Sequence, residues 1–268
     1  MTAIALTTNQ LNFVTLLLYN SETTLRYFIE FAYKGTNYHG WQYQPNAASV
    51  QETLNKALSV ILGIDIDVVG AGRTDAGVHA KQMFAHFDLD SAIDNDTLVY
   101  KLNSYLPKDI AVFRFIPLHN EAHARFDATQ RTYEYHIHTF KDAFESDSSW
   151  QHTLPLDLEK MNAAAKLLFN HTDFESFSKV NTDVGTFNCR IFAAQWTEQN
   201  GRLVFTISAD RFLRNMVRAI VGTLVNVGQG KISLDEFNTI IESKDRGKAG
   251  FSVPAHGLYL TEIKYEYL

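Results

Sequence analysis

The sequence holds a single cysteine, Cys189, in 268 residues, which excludes an internal disulfide framework and any multi-cysteine zinc site. It has no run approaching the ~18 apolar residues that a membrane-spanning helix needs. Basic charge is not in excess either. Its 24 Lys and Arg against 30 Asp and Glu leave a net charge of −6, so any affinity for phosphates has to come from where the cations cluster. Two motifs are also missing. No Gly-Lys-Ser/Thr follows the glycine-rich stretch "GAGRTDAGVHA" (residues 70–80), and the stretch opens into a strand rather than a helix, so the backbone cradle of a phosphate loop is absent. His119, Glu121 and His123 lack the His-Glu-x-x-His spacing, which sets aside a metal site there.

The first 24 residues lack basic charge, carry one acid, Glu22, and hold an apolar patch from Leu11 to Tyr19. Without a basic leader region or a small-residue cleavage site they read as a poorly ordered extension of a cytoplasmic protein. What is present is core material: 46% hydrophobic and 13% aromatic residues are ample for a buried interior.

The pattern of apolar residues then repeats once. "LRYFIEFAY" (25–33) reads as a strand and "SVQETLNKALSVILG" (49–63) as a helix with Ser49 and Glu52 as a capping box. "DIDVVGA" and "QMFAHFDL" read as strands, "DNDTLVYKLNSYL" as a short helix and "IAVFRFIPL" as a strand. The second half offers the strand "RTYEYHIHTF" (131–140), the helix "DLEKMNAAAKLLF" and a hairpin through Asn200-Gly201. The helix "RFLRNMVRAIVGTLVNVG" (211–228) and the strand "GLYLTEIKYEY" follow. Two βαββαβ units, residues 25–127 and 128–268, predict an α+β protein. Its two ferredoxin-like halves would join edge to edge into one extended, mainly antiparallel sheet with helices on one face.

Three places could carry chemistry. The 70–80 stretch is long for a hairpin connection, and excess loop length is where function tends to sit. Asp75 there, beside Arg73 and Thr74, could be a nucleophile or base, or an Asx-turn aspartate facing water; the loop alone does not separate the two. Arg211, Arg214 and Arg218 fall at i, i+3, i+7 on one face of the 211–228 helix, with only Asp210 as a nearby acid. That face suits phosphate contact, while Arg218, deepest in apolar sequence, could instead neutralise a buried carboxylate. Tyr133 and Tyr135 share a strand face, as core residues or as a platform for an unpaired base.

Several of these stretches, with "YKGTNYHGWQYQ", "LPKDIAV", "HARFDATQRTYEYHI", "HTDFESFS" and "VPAHGLYL", occur in an order that resembles the TruA-type tRNA pseudouridine synthases across nearly all of Leu25 to Leu268. The resemblance implies that Asp75 is the catalytic aspartate and Arg218 its ion-pair partner. It also implies that Tyr133 stacks on the target uracil, that Arg73 enters the RNA stack, and that Leu258 and Leu260 floor the pocket. The implied reaction detaches uracil from ribose C1′ and rejoins it through C5, with no cofactor and no metal. Its substrates would be uridines 38 to 40 of the tRNA anticodon stem-loop, bound across a homodimer. A non-catalytic RNA-binding or chaperone module on the same platform is the competing reading; it would have no need of Asp75.

Overall fold

The computed structural model of the chain describes residues 24–180 and 184–268; the expected extension lies outside them except for Thr24. The first half runs β1 (Leu25–Tyr33), α1 (Val50–Leu62), β2 (Val69–Gly70), β3 (His79–Leu89), α2 (Asn95–Tyr105) and β4 (Ile110–Leu118). The second runs β5 (Ala128–His138), β6 (Trp150–Gln151), α3 (Leu158–Leu167), β7 (Ile191–Gln199), β8 (Arg202–Ala209), α4 (Met216–Gly228), α5 (Leu234–Glu242) and β9 (Leu258–Tyr265). Strands order as β4-β1-β3-β9-β5-β8-β7, with β2 beside β3 and β6 beside β5, in one nine-stranded sheet. The halves meet where β3 runs parallel to β9, pairing His79 with Tyr259 and Ala80 with Leu260.

Local chemistry explains most boundaries. Ser49 Oγ accepts from Glu52 N and starts α1, which stops at Gly63 in the left-handed region, φ 73°. Asn200 and Gly201 take φ 53° and 72°, the paired positive values that a two-residue turn between β7 and β8 requires.

Four elements differ from the sequence reading, the smallest being β6, a two-residue strand that the reading did not contain. The strand expected over "DIDVVGA" shrinks to β2, because side chains of α1 take the backbone's hydrogen bonds: Ile66 N donates to Ser59 Oγ, Val68 N to Asn55 Oδ1, and Val68 O accepts from Gln51. Helix α5 was not anticipated, although Ser233 and Glu236 form a complete capping box at its start. The helix expected from Arg211 begins only at Met216. Asn215 is left-handed at φ 68° and its side chain bonds Ser252, while Arg214 O accepts from Lys179 N. Tertiary bonds thus hold residues 211–215 as a loop, and the predicted i, i+3, i+7 arginine face does not form.

Two apolar cores fill the molecule, and each borrows from the other half. Phe28, Phe31, Trp41, Leu54 and Met83 pack in the first together with Leu260, Ile263 and Tyr265 of β9. Tyr135, Trp196, Phe205, Ile220 and Phe237 pack in the second together with Val78 from the connection before β3. Each such large side chain contributes roughly 1.5–3 kcal/mol by burial, so the join is part of the core rather than a hinge.

Candidate active site

The connection from β2 to β3 is braced along its length by the segment after β1. Trp41 N donates to Thr74 O at 3.2 Å and Gly77 N to Tyr38 O at 3.3 Å. The buried Tyr33 hydroxyl meets Thr74 Oγ1 at 2.8 Å. Gly40 lies at φ 99°, and a Cβ there would stand 2.5 Å from Thr74 O; a Cβ on Gly35 would stand 2.0 Å from Val78 O. Only glycine allows this approach. At the far end Gly35 N donates to His79 Nδ1, leaving Nε2 to donate to His256 O at 3.0 Å. Burial, the largest influence on its ring, lowers the His79 pKa and favours this neutral tautomer.

Asp75 projects from the braced loop beside two arginines of the other half. Arg218, on the first turn of α4, donates through Nε to Val253 O at 2.7 Å and through Nη1 to Asp75 Oδ2 at 3.5 Å. Arg214 Nε stands 3.7 Å from Asp75 Oδ1. The Asp75 side chain is 28% exposed and Arg218 20%, against 59% for Arg214. These are loose ion pairs: they orient a carboxylate whose oxygens stay open to a substrate. Arg214, read from sequence as a phosphate contact, therefore joins Asp75 as a second cation.

Tyr133 lies at the same seam, half-buried between the two cores, with its ring edge-on to Phe212 at 5.1 Å. Burial pushes its phenol up to about 12 and the Asp75 charge adds to the rise, whereas Arg131 opposes it. Its hydroxyl makes no hydrogen bond among the described residues, unlike Tyr135, whose hydroxyl donates to Pro254 O and whose ring is fully buried. Tyr135 is a core residue. Leu260 is the register partner of Tyr133 and Leu258 that of Tyr135, both leucines buried in the seam. Arg73 is exposed and has no hydrogen bond or ion pair among the described residues. Arg211 is half-buried, with its backbone N–H on Asp210.

Sequence reasoning missed the bracing segment, His79, Phe212 and Arg131. Gly35 and Gly40 in "YKGTNYHGW" were the available signal; Phe212 and Arg131 had none, since Tyr133, which Phe212 meets, and Ala71 and Asp210, which Arg131 reaches, are distant in sequence. His123, weighed as a metal ligand, spends Nδ1 accepting from Arg125 N and Phe126 N. Cys189 is buried and its thiol is pushed up to about 12 by that burial, so it packs rather than reacts.

The sequence pattern of a family described as tRNA pseudouridine synthase matches residues 30–127 and 164–266. The chain is 54% identical over 241 residues to tRNA pseudouridine synthase A of Parabacteroides distasonis, covering 90% of this chain and 96% of that protein. The protein of the same name from Bacteroides thetaiotaomicron is 55% identical over 243 residues, covering 90% of each. That from Thermoanaerobacter pseudethanolicus is 43% identical over 236 residues, covering 87% of this chain and 96% of that protein.

Proposed function

Since the chain belongs to the tRNA pseudouridine synthase family of isomerases acting on tRNA uridine, we propose that Asp75 is the carboxylate through which it isomerises uridine in the anticodon stem-loop, at positions 38 to 40. The observation that carries this is the placement of Asp75: a carboxylate on a braced loop, next to Arg214 and Arg218 and beside Tyr133, where the two halves meet.

The reaction breaks the bond from uracil N1 to ribose C1′, forms one from C5 to C1′, and returns the C5 proton to solvent while N1 gains one. Asp75 could attack C1′, add at C6 or remove the C2′ proton; each route needs an ionised carboxylate against the target nucleotide. Arg218, anchored on Val253 O, aims that carboxylate. Tyr133 offers a ring for the extruded uracil, and its phenol stays neutral far above physiological pH. Extruding the base costs roughly a few kcal/mol, and Arg73, exposed and free of protein partners among the described residues, occupies the gap. Leu258 and Leu260 close the apolar side, and Arg211 meets the backbone. The enzyme works as a homodimer on tRNA in the cytoplasm, with residues 25–127 carrying the acting loop and 128–268 its partners. No described helix is long and apolar enough to cross a membrane.

The test is tritium release from tRNA labelled at uridine C5. Asp75→Asn should abolish release while tRNA binding stays within about tenfold, ~1.4 kcal/mol. Retained turnover would overturn the assignment.

A further inference from the structure

Arg131 lies on β5, two residues before Tyr133, and is bonded unlike any other arginine at the site. Its Nη1 donates to Asp210 O at 3.0 Å and Ala128 O at 3.5 Å, and its Nη2 to Ala71 O at 2.9 Å and Arg125 O at 2.8 Å. No carboxylate lies within ion-pair distance of it among the described residues. A half-buried guanidinium held only by backbone carbonyls is costly to desolvate, and burial lowers its pKa.

The four carbonyls belong to three segments, around Ala71, Asp210 and the stretch Arg125 to Ala128 just before Arg131, and the first two are far from it in sequence. Ala71 opens the connection that carries Asp75, and its N–H is tied to Phe84 O. Arg125 follows β4, in a turn whose N–H groups are gathered on His123 Nδ1. Ala128 begins β5. Asp210 follows β8 and begins the loop that carries Arg214; its carboxylate collects Arg190 N and Arg211 N. A planar fork of five donors can reach all four carbonyls at once, whereas the point charge of lysine cannot.

We propose that Arg131 is a positioning residue: its guanidinium clamps the Asp75 loop of the first half to the Arg214 loop of the second, and so sets the Asp75, Arg214 and Arg218 geometry. This rests on Asp75 being the acting group. Misplacement of reacting groups by about 1 Å can cost on the order of 100-fold in rate, so the clamp is legible in the rate at saturation.

The experiment measures single-turnover pseudouridine formation at saturating tRNA for Arg131→Lys and Arg131→Ala, with Asp75→Asn in parallel and folding checked by circular dichroism. Both Arg131 variants should be slower by at least about tenfold, with tRNA affinity changed much less. Millimolar guanidinium chloride should raise the Arg131→Ala rate, while sodium chloride at equal ionic strength should not, and neither should revive Asp75→Asn. A lowered melting temperature with an unchanged rate in Arg131→Lys would overturn the proposal, and so would folded Arg131→Ala that guanidinium fails to rescue. If Arg131→Ala does not fold, the Arg131→Lys rate decides. An active Asp75→Asn would instead sink the reading of Asp75, so the two failures are distinguishable.

Discussion

Arg214 and Arg218 both reach Asp75, yet their surroundings give them different tasks. Arg218 is mostly buried and anchored on Val253 O, so Arg218→Ala should impair turnover much more than tRNA binding; equal losses would count against an aiming role. Arg214 is more than half exposed, so Arg214→Ala should lower turnover and also weaken binding. Arg211→Ala, with no contact to Asp75, should flatten the salt dependence of binding by about one unit of slope and leave the saturated rate intact. Fluorescence titration at several salt concentrations reads the slopes. For Tyr133 the ring should matter and the hydroxyl should not, because that hydroxyl has no protein partner among the described residues. Tyr133→Phe should keep turnover, whereas Tyr133→Ala should lose stacking of roughly 1–3 kcal/mol.

Asp75 and Arg214 sit on loops, and the rigidity of the Asp75 loop comes from close backbone packing. Gly40→Ala would push a Cβ against Thr74 O in a conformation that L side chains rarely adopt, so turnover should fall more steeply than thermal stability; a normal rate would show that the brace is dispensable. The turn after β4 supplies a pH dependence. His86 Nδ1 accepts from Ala124 N, and burial brings its pKa down from 6.5 to about 4; burial lowers His123 as well. The unfolded chain therefore binds more protons between these values, so stability conferred by neutral His86 is complete above pH 6.5 and declines as pH falls towards 4. The loss should be on the order of 3 kcal/mol, and His86→Gln should flatten the slope of urea midpoint against pH in that window.

At the scale of the molecule, the two halves share strand β9 and exchange core residues. Trp41 reports on the first core and Trp196 on the second. In each variant retaining only one of these tryptophans, fluorescence and circular dichroism should give the same urea midpoint, because neither core is complete without the other half. Ile263→Ala should lower both midpoints together, by roughly 2–5 kcal/mol in stability. Separate transitions would show two independently folding units.

The βαββαβ repeat, the ends of α1, the Asn200-Gly201 turn, and strands β4 and β8 to the residue were legible in the chain because each rests on local periodicity or on a cap within a few positions. Asp75 and Tyr133 stood out through the family's motifs, and their neighbourhood at the seam needed the fold. Where reading failed, a distant partner had overridden local preference: Ser252 and Lys179 hold Arg214 and Asn215 out of α4, and the side chains of α1 strip β2 of its strand bonds. The arginines that meet Asp75, and the carbonyls gathered by Arg131, come from segments up to 143 residues apart. Periodicity along the chain carries no information about such encounters, which exist only once β3 has paired with β9.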